Sequence, residues 1–246
     1  LDGSMVPQFD GKDHPYSLPS KNYIGFYRTG YTFTNTASFT GGSETGACRL
    51  SVSDLNNHSI VPNRGLDRKT FNFNGSQSVT KKFDVNVVAN YIVDIENNRP
   101  GLSDGPGNPN NVQFLAPNED YHILAPGYDA TGKETSFTND IYVTNPYFAA
   151  YKFSSVTSRT RLISSLSGKY SILNWLYLQG RLGYDNINDK RIDITPTGTA
   201  YVSGNGSISQ TNSQITELNS DVLINAKHDL IKNWVNLDLS VGGNIR

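Results

Sequence analysis

Alternation of apolar and polar residues with a period of two runs through much of this 246-residue chain and limits what it can fold into. Successive side chains of an extended strand point to opposite faces, so strict alternation describes a sheet with one apolar and one polar face. Val235, Leu237, Leu239 and Val241 alternate with Asn236, Asp238, Ser240 and Gly242. Leu218, Val222, Ile224 and Ala226 oppose Glu217, Asn219, Asp221, Asn225 and Lys227. Leu162, Leu166, Tyr170 and Ile172 stand against Arg161, Ser165, Ser167 and Lys169. Leu176, Leu178, Leu182 and Tyr184 stand against Gln179, Arg181 and Asp185. Phe83, Val85, Val87, Ala89, Tyr91 and Val93 stand against Asp84, Asn86, Asn90 and Asp94. Weaker versions carry Tyr31, Phe33, Ala37 and Phe39, then Cys48, Leu50 and Val52, then Phe71 and Phe73. Together they predict eight strands, near 31–41, 47–54, 67–77, 80–96, 157–171, 175–187, 214–229 and 233–246. No helical pattern of comparable regularity exists.

The connections sort by length. Gly41–Gly46, Ser76–Val79, Ile172–Asn174 and Asp229–Lys232 are short, whereas 55–66, 97–156 and 187–213 are long. Short turns at one end and long loops at the other are the pattern of an outer-membrane barrel, with the short turns periplasmic and the long loops extracellular. No run of about 18 apolar residues is present, so no membrane-spanning helix is expected. A barrel needs only one apolar face per strand, which suits an apolar fraction of 36% with 11% aromatics. Tyr31, Phe33, Tyr91 and Tyr184 then fall near the outer ends of their strands, and Phe39, Phe83 and Tyr170 near the inner ends. Two such rings are the aromatic girdles of a membrane barrel. Trp175 and Trp234 sit at short turns on the polar parity and stand outside that pattern. The polar face bears Arg49, Arg161, Arg181, Glu217, Asp221 and Lys227. Burying so many charges in a dry core would be very costly, so they face water, a barrel lumen or a plug. Alternation alone leaves both a barrel and a solvated β-sandwich open.

Reactive chemistry is sparse. The net charge of −1 gives no basic excess for nucleic acid. Lone Cys48 excludes an internal disulfide framework or a multi-thiolate metal site. His14, His58, His122 and His228 are scattered without metal-ligand spacing and read as ordinary loop or surface histidines. Asp104, Glu119 and Asp120 are oxygen donors of the kind Ca²⁺ prefers, but they lack the spacing of a binding loop. Gly204-Asn205-Gly206 lacks the Lys and helix of a phosphate loop. Asn57-His58-Ser59, Asn74-Gly75-Ser76 and Asn205-Gly206-Ser207 are chance sequons in an Asn- and Ser-rich chain. The connection 97–156 is far longer than a connection needs, and such loops are often functional. Its Tyr121, Tyr128, Tyr142 and Tyr147 are candidate ligand- or partner-contacting residues, set against the plainer reading that they pack the loop itself.

Ordered clusters resemble a known family. Leu1-Asp2-Gly3 is followed by Thr29-Gly30, Ser38-Phe39-Thr40-Gly41-Gly42 and Arg49-Leu50-Ser51-Val52-Ser53. Ile60-Val61-Pro62-Asn63 and Asp67-Arg68 come next, then Asn145-Pro146-Tyr147, Arg161-Leu162, Asn174-Trp175-Leu176, Gly183-Tyr184-Asp185 and Gly242-Gly243-Asn244. Each cluster is short, but their succession resembles the barrel region of SusC/RagA-type TonB-dependent outer-membrane transporters of Bacteroidota. The resemblance spares only 97–144 and 187–213. It implies an all-β antiparallel transmembrane barrel of about 22 strands around a plugged lumen, of which these eight are roughly a third. With neither a leader-like start nor a terminal aromatic strand, the chain reads as an internal segment, its plug and TonB-contacting regions elsewhere.

The resemblance further implies nutrient import rather than enzyme chemistry, with no cofactor. It implies a location in the bacterial outer membrane, against lipid and lipopolysaccharide. A SusD-like surface lipoprotein would be the partner, TonB the energy source, and oligosaccharides or oligopeptides the substrates. Arg49, Arg161, Arg181 and Asp221 would then face the lumen. The alternatives are a soluble or surface β-sandwich that binds glycans, and a self-standing eight-stranded outer-membrane barrel.

Overall fold

A computed structural model describes residues 2–8, 11–99, 101, 103–202, 205–231 and 235–246. Leu1, Gly204, Trp234 and the last residue of the 229–232 turn, all named above, lie outside the described residues. A small hairpin opens the chain, with β1 (Met5–Pro7) antiparallel to β2 (Asp13–Pro15), followed by a 3₁₀ helix at Tyr23–Phe26. Then come β3 (Tyr31–Ser43), β4 (Gly46–His58), β5 (Gly65–Thr80) and β6 (Phe83–Asn97). After a long connection follow β7 (Ser154–Leu173), β8 (Leu176–Thr195), β9 (Ser207–Ile231) and β10 (Val235–Ile245).

These last eight strands form one antiparallel sheet in the order β10-β9-β8-β7-β6-β5-β4-β3, each paired with its sequence neighbours. The register keeps one parity on each face across the whole sheet. Ala37, Val52, Phe71, Tyr91 and Leu162 pair in succession, as do Tyr170, Leu178, Ile224 and Val241. Arg161, Gln179, Asp221 and Asp238 therefore share the opposite face. Among the described residues β3 pairs only with β4 and β10 only with β9, so the sheet is open and its two edges are β3 and β10.

Strand ends differ from the expectation by one to three residues at the short turns and by more at the end of the long connections. The strand near 175–187 continues to Thr195, and the one near 214–229 begins at Ser207, leaving only 196–206 as a loop. Likewise β4 and β5 run to His58 and from Gly65, which shrinks 55–66 to 59–64. Past Tyr184 polar residues interrupt the apolar parity: Asn186, Asn188 and Lys190 lie on it, paired with Thr216, Gln214 and Asn212, before Ile192, Ile194 and Ile208 return to it. Apolar periodicity thus lapses after Tyr184 while backbone pairing goes on. Leu176–Tyr184 and Leu218–Ala226 are nine residues each, the length that crosses a hydrocarbon layer as a tilted strand.

The apolar face has no protein cover among the described residues. Phe39 is 67% exposed, Leu182 51% and Val241 76%. Contiguous exposure on this scale marks an interaction surface, since covering each large apolar side chain is worth roughly 1.5–3 kcal/mol. The buried core lies instead in the long connection 98–153, where Val112, Leu124, Phe148 and Ala150 are nearly inaccessible together with Phe26. This cap contains 3₁₀ turns at Pro109–Phe114 and Tyr121–Leu124 and one short helix, α1 (Pro146–Tyr151).

Candidate functional site

On the polar face, charge is paired across strands. The Arg161 guanidinium donates twice to Asp185, at 3.0 and 2.6 Å, and Arg68 donates twice to Asp94, at 2.7 and 3.1 Å. Arg181 bonds Asp221 at 2.8 Å, Lys227 meets Asp238 at 3.0 Å, and Arg159 pairs with Asp189. Forked Arg–carboxylate pairs fix orientation as well as charge. Arg49, the outlying member of the predicted set, is exposed and faces Thr40 and Asn74 in the register. Arg181 and Asp221 are thus in contact, whereas Arg161 answers to Asp185 on its own hairpin.

The cap stands at the end of the sheet where the longer connections gather. Asn145 is its central tie, fully buried. Its side-chain amide donates to the carbonyls of Leu124 and Thr135, both at 3.0 Å, and its Oδ1 caps α1 by accepting the Tyr147 N–H at 3.0 Å. The Asn-Pro pair at 145–146 is the usual N-cap and first-turn sequence for such a helix. Glu134 joins this tie to the next loop: its carboxylate accepts the Asn145 N–H at 2.7 Å and the Ala200 N–H at 2.9 Å. Burial pushes the Glu134 carboxyl above its usual range, opposed by those two backbone donors. Buried Asn111 bonds the Asp104 and Tyr142 carbonyls, each at 3.1 Å.

The four candidate tyrosines separate in the structure. Tyr147 packs edge-on against Phe26 with centroids 5.4 Å apart, and burial pushes its hydroxyl up to about 12. Tyr121 leans on the same cluster, its ring so close to Gly25 that a Cβ there would lie 2.6 Å away. Tyr128 is half-buried beneath Lys152, whose Nζ sits 4.0 Å from the ring centroid. Tyr142 alone of the four leaves most of its ring open, 54% exposed. Packing therefore occupies Tyr121 and Tyr147, while Tyr142 stays open beside the similarly exposed Phe114 and Tyr151. Asp120 caps the turn at Tyr121 and meets His122 at 2.7 Å, and the described residues hold no cluster of three or more possible metal ligands. No helix among them is long and apolar enough to cross a membrane.

No protein-family profile and no curated protein sequence matches the chain. Solved structures do. The RagAB peptide importer in its closed-closed state aligns with 90% of this chain at a TM-score of 0.67 and 16% identity. A RagAB peptide transporter aligns with 91% at 0.69 and 15%, and the importer in its open-open state with 91% at 0.68 and 14%. The chain has the fold of a segment of a RagAB transporter chain. It spans about a quarter (25%) of the length of those chains, so its eight-stranded sheet matches part of a β-barrel. At these identities the likeness concerns the fold. It agrees with the SusC/RagA character of the ordered sequence clusters.

Proposed function

We propose that this chain is part of the wall of an outer-membrane nutrient importer driven through TonB. In this reading the apolar face meets lipid, and Arg49, Arg161, Arg181 and Asp221 face the lumen or its plug. The cap and the connections 59–64 and 196–206 stand outside the cell, where a SusD-like lipoprotein covers them. Substrates are oligopeptides or oligosaccharides, with peptides favoured by the solved relatives.

The carrying observation is the combination of an uncovered apolar band on one face with an ion-paired polar face behind it. A sandwich would cover that band with a second sheet, yet the only other described sheet is the two-stranded β1–β2 hairpin. A small closed barrel would pair β3 with β10, and they do not pair. The test is uptake of labelled oligopeptides and oligosaccharides by cells with and without the full-length protein, with the proton gradient intact or collapsed. Uptake of one class should require both the protein and the gradient. Equal uptake in all four conditions would overturn the proposal.

A further inference from the structure

One cavity at the cap end of the sheet is rich in arginine. It has a volume of about 650 Å³ and lies between the start of the cap, the Phe153–Ser155 entry to β7 and the end of β8. Arg64, Arg99 and Arg191 all line it, against a single acidic residue, Asp193. Three cations to one anion is a local excess in a chain whose net charge is −1.

Arg64 is the decisive member. It is 6% exposed, and it forms no ion pair among the described residues. One guanidinium nitrogen donates to the Asn98 carbonyl, but its Nε is buried without a partner. Burial without a compensating carboxylate depresses its ionisation to about 10. A buried, under-bonded cation is expensive unless an acceptor completes it. The other two arginines are more exposed and only partly committed, Arg99 to Glu96 at 3.8 Å and Arg191 to Asp193 at 2.8 Å. Phe153 and Ile194 supply apolar wall beside the charge.

We infer that this cavity is a carboxylate-binding subsite, with Arg64 as anchor and Arg99 and Arg191 as flanking donors, and that its occupant is the C-terminal carboxylate of a short peptide. Guanidinium groups match a carboxylate's two oxygens with paired donors, and the Phe153–Ile194 wall accepts the last side chain. The assignment rests on the importer reading, and deepens it by naming the end of the substrate that the wall holds.

The experiment uses the purified full-length transporter with its companion chains. It is equilibrated with a mixture of random-sequence octapeptides, half with free C-termini and half amidated, together with oligogalacturonates. Bound molecules are quantified by mass spectrometry. Free-acid peptides should be enriched over amidated ones by about tenfold or more, the scale of a charge-assisted bond. Arg191→Gln should reduce that ratio several-fold, and Arg64→Lys should reduce it with the fold retained. A ratio near one in the unsubstituted protein overturns the subsite, whatever the variants do. Enrichment of oligogalacturonates instead overturns the peptide assignment. Import that proceeds normally with a ratio near one refutes the subsite while sparing the importer; absence of any uptake refutes the importer reading itself.

Discussion

Arg181 and Asp221 stand directly opposite one another in the register of β8 and β9, with Nε and Oδ2 2.8 Å apart, while their neighbours Leu182 and Val222 point to the other face. One step along either strand thus moves from an ion pair to bare hydrocarbon. The two faces of the sheet are chemically different, and they should respond differently to the same change.

A charge placed on the apolar face is accordingly the sharper perturbation. Val222→Arg in the full-length protein should lower stability in lipid by about 2–4 kcal/mol if that position lies near mid-membrane. Asp221→Asn, one residue away, removes a partly exposed ion pair and should cost under about 1 kcal/mol. Urea titration of protein folded into vesicles measures both. Equal costs would mean that no hydrocarbon faces Val222.

Gly25 tests how the cap is held. A methyl group there would meet the Tyr121 ring at 2.6 Å and push it off the cluster around Phe26. Gly25→Ala should destabilise the cap by about 1–3 kcal/mol through overpacking, leaving the distant sheet intact. Limited proteolysis should then cut within 98–153 before it cuts elsewhere. A cut pattern unchanged from the parent would show that the ring gives way freely.

The strands were legible in the sequence because one face of the sheet is apolar and the other polar, which writes a period of two into the residues. Where polar residues also occupy the apolar parity, as Asn188 and Lys190 do against Gln214 and Asn212, alternation lapses although pairing persists, and the strand ends were read short. The cap was illegible for a different reason. Its order comes from single side chains bonding distant backbone, such as Asn145 to Leu124 and Glu134 to Ala200, which leave no period behind. Tyr147 was visible as a residue, but its burial against Phe26, 121 positions earlier, was not. Arg64 carried no signal at all, since burial of a lone arginine is decided by chain segments far apart.

Glu134 makes the cap sensitive to acidity in a definite direction. Its folded carboxyl is raised above the ordinary value of 4.5, so the folded state holds its proton more tightly than the unfolded one. Stability contributed by this group is therefore greatest below that value and is lost as pH climbs through the raised range. Hydrogen exchange at the Asn145 and Ala200 amides, corrected for intrinsic rate, should become faster over that climb. In Glu134→Gln, which cannot ionise, the trend should disappear. A trend that survives the substitution assigns it to another group.

The tyrosines separate packing from recognition. Tyr147→Ala empties part of the cap core and should cost about 2–4 kcal/mol, discounted from a full aromatic deletion because the ring is only half-buried. Tyr142→Ala removes a ring that is mostly open, so stability should stay within about 0.5 kcal/mol. If the cap receives a lipoprotein or a substrate, Tyr142→Ala should nevertheless weaken that association, since exposed aromatics at an interface centre carry much of its energy. Thermal unfolding and co-purification of the companion chain give the two readings. Loss of stability in Tyr142→Ala would return all four tyrosines to packing, and unchanged association with unchanged stability would remove Tyr142 from the site.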